Sequence, residues 1–218
     1  MGKTISIIGQ SLVGLIYIIE LIIAIRVAKH KNLPNLARKF YWYPLIGTIV
    51  WLVITLKNLH ILSNQIAFSV NTISLLFHYS FLSFFIFSIS GKKKIFKLII
   101  LCCFFFTILL IISDLITEYL TSFAFANSCL FFFSAYYFYL LFKGAYLQTL
   151  SKNFTFYTAC GIFIGSGLMV PSALMIKYLY LVGAAKPTLF LMSAIGTFGY
   201  LIMNIIFIKA LLCLKPNK

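Results

Sequence analysis

A carboxylate lies inside an otherwise apolar run of this 218-residue chain, Tyr17-Ile18-Ile19-Glu20-Leu21-Ile22-Ile23-Ala24-Ile25-Arg26, and the chain has only three acidic residues against 18 Lys and Arg. In hydrocarbon a charge at that depth costs about 2.5–3.5 kcal/mol on insertion scales, so Glu20 must pair, take up a proton or face a protein interior. Arg26 is six residues along, on the opposite side of a helix, and makes a poor partner. At 100° per residue Ser6, Gln10, Gly14, Tyr17 and Glu20 share one face. Asn64, Asn71, Ser74 and His78 form a second stripe, and Ser193, Gly196, Thr197, Tyr200 and Asn204 a third. Three polar stripes call for three helices facing a common interior. Counted at 1.5 Å per residue, Glu20 and Asn204 lie ~6–8 Å past the middle of their runs, with His78 near the middle of its own. A set made of Glu20, Tyr17, His78, Asn71, Tyr200 and Asn204 can relay a proton or hold a polar ligand. It can equally be a hydrogen-bond network that fixes helix register.

Other chemistries lack their parts. Lys57, His60, Asp114 and Glu118 gather near one end of the chain's helices, but nothing in their spacing demands a metal, and a solvated rim accounts for them. Cys102, Cys103, Cys129, Cys160 and Cys213 all fall in apolar runs without metal-type spacing and read as small buried hydrophobes. Gly165-Ser166-Gly167 resembles the nucleophile setting of rhomboid proteases, yet no histidine follows it to act as base. No catalytic residue, metal or cofactor is expected.

The elements that position these residues follow from composition. The chain is 62% hydrophobic and 10% charged, with a mean hydropathy of +1.06, whereas soluble domains run near 25% charged. Runs of about 20 apolar residues, each able to cross ~30 Å of hydrocarbon, recur along its whole length. They predict seven spans at about 5–27, 41–62, 66–90, 95–116, 121–142, 154–182 and 187–213. The fold class is therefore all-α, one bundle of seven transmembrane helices over residues 1–218. The net charge of +15 does not call for nucleic acid, because the basic residues sit in short turns. The expected surroundings are the lipid bilayer, with a homodimer or a larger membrane complex as further partners and a small-molecule ligand of unspecified identity.

Orientation comes from the basic residues. Only Lys3, Lys57, Lys177 and Lys186 lie on the N-terminal side, and the other fourteen lie opposite. The positive-inside rule puts the N-terminus outside and the C-terminus in the cytoplasm. That orientation argues against the N-myristoylation pattern at Gly2, and the first run is too long for a signal peptide. Tyr41, Trp42 and Tyr43 are expected at the cytoplasmic interface, and Tyr178 and Tyr180 at the outer one. In the sixth span Gly161 and Gly165 allow close helix packing, and Pro171 interrupts the backbone ladder, as either ordinary packing or a hinge beside a cavity.

Named seven-helix classes do not fit. There is no lysine midway along the last run for retinal, no acidic-Arg-Tyr or Asn-Pro-x-x-Tyr of eukaryotic-type receptors, and too few histidines at one depth for a ceramidase-type hydrolase. Sugar carriers of three-plus-one-plus-three build would show an internal repeat, and none is visible. Two stretches carry a resemblance: the aromatic-rich Asn71 to Phe87 with Lys92-Lys93-Lys94, and Tyr136-Tyr137-Phe138-Tyr139 followed by Asn153-x-x-Phe156-Tyr157-x-x-x-Gly161. On these the chain resembles small seven-helix inner-membrane proteins of Bacteroidetes-type bacteria, where Asn-Pro-x-Phe-Trp is expected at the second stretch. Here Phe154 and Tyr157 replace the proline and the tryptophan. The resemblance implies a bacterial inner (plasma) membrane and the seven-helix bundle, and no activity. Function is expected to be receptor-like or accessory, binding a small molecule, lipid or membrane partner. The alternatives are a small transporter or proton-coupled carrier using Glu20 and His78, and an intramembrane lipid-acting enzyme.

Overall fold

The structure is a computed structural model, and it describes residues 2–29, 35–58, 61, 63–89, 94–117, 121–143, 153–183 and 185–214. The side chains of Ser6, Gln10, Asn64 and Asn71, and all of His60 and Glu118, lie outside the described residues. The elements are α1 (Gly2–Ala28), α2 (Asn35–Lys39), α3 (Trp42–Asn58), α4 (Asn64–Ile89), α5 (Lys94–Thr117), α6 (Thr121–Lys143), α7 (Phe154–Leu181) and α8 (Lys186–Leu212), with no strand among the described residues. Seven stretches within them are long and apolar enough to cross a membrane. The second differs from expectation: α3 stops at Asn58, short of residue 62, and is preceded by the single-turn α2. One helical turn is too short to register as a periodic pattern.

The helices form a ring. Sequential neighbours pack on each other from α3 round to α8, and α1 closes the circle against both α3 and α8. α4 packs against α3, α5, α6 and α7. The α7–α8 pair is the most extensive. It is close because Gly161 and Gly165 lack side chains: a Cβ would land 2.7 Å from the Phe207 ring at one and 2.7 Å from Met203 Cβ at the other. Small residues let backbones approach in this way. Pro171 is exposed within an unbroken α7, and the neighbouring Ser172 hydroxyl donates to Met192 O of α8 at 2.8 Å.

Helix ends account for part of the sequence pattern. Asn153 Oδ1 accepts from Thr155 N at 2.9 Å and Phe156 N at 3.2 Å, so the asparagine of the Asn153-x-x-Phe156 stretch is the N-cap of α7. Pro187 sits in the first turn of α8, where its lost N–H costs nothing. At the α2–α3 corner Phe40 is fully buried and meets five rings: Tyr43, Phe81, Phe85, Phe154 and Phe207, at 5.4–6.2 Å between centroids. These aromatic edges and faces seal one end of the ring.

The outer surface is apolar, with Ile73, Phe105, Phe132 and Phe142 each more than 60% exposed. Cys102 shares this surface, which overturns the expectation of burial for it, whereas Cys129 is buried and Cys103, Cys160 and Cys213 are partly buried. Thr48, Thr107, Ser128, Ser134 and Thr158 each return their hydroxyl to the carbonyl four residues back, at 2.7–2.9 Å. Hydroxyls so satisfied can sit in a dry environment at little cost.

Candidate functional site

Against that background, a few buried polar atoms stand out because they have no hydrogen-bond partner among the described residues: both carboxylate oxygens of Glu20, Asn204 Oδ1, His78 Nε2, the hydroxyls of Tyr43, Tyr79, Ser83 and Ser166, and Arg38 Nε. Several of these lie close together. Glu20 is fully buried on α1, one turn from Tyr17. Tyr17 has Glu20, Tyr200 and Asn204 as electrostatic neighbours, along with Tyr43 of α3. Tyr43 in turn neighbours Glu20 and Tyr200, and its ring lies 4.7 Å from the His78 imidazole. Tyr17 and Glu20 of α1, His78 of α4 and Tyr200 and Asn204 of α8 thus gather around Tyr43 of α3, whereas Ser193, at the start of the α8 stripe, is exposed. Glu20 and His78 have no direct interaction; Tyr43 links their two neighbourhoods. Asn204 Nδ2 donates to Tyr200 O at 2.7 Å, which leaves its Oδ1 as the free acceptor.

Tyr43 corrects an expectation. Its neighbour Trp42 is 45% exposed, as an interfacial anchor should be, but Tyr43 is fully buried. Next to it Pro44 is buried in the first turn of α3, and the corner after α2 turns this face inward. The adjacent Tyr41-Trp42-Tyr43 letters carry no sign of that split.

Above this cluster lies a partly open cavity of about 240 Å³. Its wall comes from Val13 and Tyr17 of α1, Gly47, Val50, Trp51 and Ile54 of α3, and Thr72, Ser74, Leu75 and His78 of α4. Ile111 and Asp114 of α5, Ser122 and Phe123 of α6, and Thr197 and Tyr200 of α8 complete it. These positions run from the middle of α1, α3, α4 and α8 to the end of α5 and the start of α6, so the cavity extends from the middle of the bundle toward its N-terminal side. Tyr17, His78 and Tyr200 make its floor. Mutual fit shapes the wall between α1 and α3. A Cβ at Gly14 would fall inside the Trp51 ring, and one at Gly47 would fall on the ring of Tyr17.

Asp114 is the second correction. A solvated rim is expected of it, yet it is 5% exposed and its two carboxylate oxygens accept from Thr121 N at 3.2 Å and Ser122 N at 2.7 Å. It caps the first turn of α6 across the α5–α6 turn, using the otherwise unpaired N–H groups there. Lys177 Nζ donates to Thr121 Oγ1 at 3.0 Å, bracing the same corner from α7. Lys57 of the expected rim set is half-buried and does not line the cavity. Among the described residues no group of three or more His, Cys, Asp or Glu is placed to hold a metal ion.

A smaller void of about 10 Å³ shares Leu75, His78 and Tyr200 with the cavity and reaches Tyr43, Tyr79, Asn127 and Ser166. Four of the partnerless atoms, on Tyr43, His78, Tyr79 and Ser166, border it. A void of that size with several polar neighbours suits a single water. Ser166 is thus brought near a histidine from α4, although no hydrogen bond joins them. No protein-family model, curated protein or solved structure matches the chain.

Proposed function

We propose that this is a multi-pass protein of a bacterial inner membrane, N-terminus outside, that acts as a receptor-like or accessory protein by binding a small molecule in the outer half of its bundle. The observation that carries the reading is the cavity of about 240 Å³, walled by six of the seven long helices and closed below by Tyr17, His78 and Tyr200. Binding sites are concavities of mainly apolar lining with a few convergent polar groups, and this one has that make-up. The apolar outer surface and the seven candidate spans support the membrane setting. The fourteen-to-four division of basic residues supports the orientation, and the resemblance to small inner-membrane proteins supports the compartment. Among the described residues His78 Nε2 has no hydrogen-bond partner, so no serine, threonine or cysteine is paired with it there, which sets the enzyme reading lowest.

The chain has two tryptophans, and only Trp51 lines the cavity. A Trp42→Phe protein in mild detergent therefore carries a single reporter. Screening a small-molecule set should find compounds that shift Trp51 emission saturably, with the shift abolished when Val50→Phe fills the cavity. A shift that survives the filling substitution unchanged would place binding elsewhere and end the proposal.

The second reading, a proton-coupled carrier, is favoured by Glu20, a fully buried carboxyl beneath the cavity floor without a hydrogen-bond partner among the described residues. It requires flux into proteoliposomes that depends on pH and disappears in Glu20→Gln.

A further inference from the structure

We propose that the basic end of the bundle is a binding surface for anionic phospholipid, whose headgroup phosphates are the counter-ions of its lysines and arginines. The inference rests on the membrane setting proposed above and is independent of the cavity. Ring contacts define that end. Phe87 and Phe96 bring the end of α4 to the start of α5, and Phe138 and Phe156 bring the end of α6 to the start of α7. Phe40, just after α2, meets Phe154 at the start of α7 and Phe207 near the end of α8, while α2 itself packs on α1.

The chain gives the bases of this end no acid of its own. No Asp or Glu occurs between Glu20 and Asp114 or after Glu118. Glu20 is fully buried, and Asp114 is bound to the N–H groups of α6 at the other end. Arg26, Lys94, Lys97, Lys143 and Lys209 are all exposed. Lys143 and Lys209 lie over the rings of Tyr139 and Tyr157, 6.0 and 5.9 Å from the centroids, and a ring face answers only part of a charge. Arg38 Nε of α2 is buried without a hydrogen-bond partner among the described residues. An excess of bases on one side follows from membrane orientation alone. The lack of carboxylates beside them is additional, and it calls for an anion from outside.

Placement selects lipid over a soluble polyanion. Each base joins a stripe of exposed apolar side chains on its own helix, three or four residues apart. Arg26 follows Ile19 and Ile22 on α1, and Lys94 and Lys97 precede Leu98 and Leu101 on α5. Lys143 adjoins Tyr139 and Phe142 on α6, and Lys209 sits between Ile205 and Leu212 on α8. A charge at the end of an apolar strip matches an amphiphile, with the acyl chain along the strip and the phosphate at the base. A nucleic acid or acidic protein arriving along the bundle axis would meet bases that face sideways. Four helices carry such strips, so a shell of lipids is bound and not a single molecule.

The test places the whole protein in phosphatidylcholine vesicles with a trace of spin-labelled phosphatidylglycerol or spin-labelled phosphatidylcholine. The motionally restricted fraction of each label reports its share of the first lipid shell. One base near an anionic membrane surface is worth about fivefold, and only part of the shell faces a base. Phosphatidylglycerol should therefore be favoured at least twofold, and about 1 M salt, with a Debye length of ~3 Å, should reduce that preference. Replacing Arg26, Lys94, Lys97, Lys143 and Lys209 by Gln should remove at least half of it, whereas Lys57→Gln at the other end should leave it unchanged. A smaller preference in the parent, no response to salt, or a smaller loss on substitution overturns the surface and leaves the membrane setting standing. No restricted fraction with either label overturns both. Displacement by glycerophosphoglycerol, the headgroup without its chains, would make the phosphate a soluble ligand and overturn the lipid. Displacement by a single-stranded oligonucleotide would give the surface to nucleic acid and overturn it equally. Should the fivefold variant not be monodisperse, the parent's preference and its salt response decide alone.

Discussion

The ring of Tyr17 on α1 fills the space that a side chain at Gly47 on α3 would need. Through that fit a glycine on one helix sets the position of a hydroxyl on another, and with it the floor of the cavity. Gly47→Ala must push the Tyr17 ring away or part the two helices. Overpacking of this kind costs about 1–3 kcal/mol. Thermal unfolding in detergent should show the loss, and the combined Gly47→Ala/Tyr17→Ala protein should recover part of it. Additive losses in the double variant would mean that the two positions are uncoupled.

Asp114 predicts a different signature. Replacement by Ala removes the acceptor for two N–H groups of α6, a loss of about 0.5–2 kcal/mol by comparison with other caps. Asp114→Asn keeps an acceptor and should lose less. Hydrogen exchange should quicken at Thr121 and Ser122 in Asp114→Ala before it changes elsewhere in α6. Uniform quickening along the helix would count against a capping role.

For Glu20 the direction is opposite to that for most buried residues. A fully buried carboxyl with no hydrogen-bond partner contributes desolvation cost and no compensating bond. Glu20→Gln should therefore unfold at the same temperature as the parent or higher. Glu20→Ala removes buried side-chain volume as well and should be less stable than Glu20→Gln. A marked destabilisation by Gln would reveal a charge partner for Glu20 and remove the ground for an uncompensated acid.

Orientation is checked by reporters. A fluorescent protein fused after residue 218 should fold and fluoresce in the cytoplasm, and alkaline phosphatase at the same point should be inactive. Alkaline phosphatase activity at that fusion would reverse the membrane orientation and place the cavity in the inner half.

The seven long helices are legible in the sequence because length and hydropathy are properties of a continuous run, and no tertiary contact is needed to read them. The stripes behave similarly: Tyr17 with Glu20, and Tyr200 with Asn204, are one turn apart, and helical geometry puts them together in any fold. What pairs with them is harder to see. Tyr43 is adjacent in sequence to two aromatic residues with different surroundings, and only the corner made by α2 decides which faces inward. Asp114 looks solvated because it lies near the end of its apolar run, and its partners Thr121 and Ser122 belong to the next helix, which periodicity within one run does not reveal. Trp51 and Ser166 carry no periodic mark at all; each becomes part of the interior through glycines on other faces, Gly14 for Trp51 and the α7–α8 seam for the helix that bears Ser166.

The closure of the ring by α1 against α8 has a consequence for biogenesis. The face of α1 that carries Tyr17 and Glu20 is covered by α8, which follows the six other long helices in sequence. Until α8 has been made, Glu20 lacks the cover that Asn204 and Tyr200 give it. The burial of a residue made near the start thus waits on a helix made after all the other long ones described.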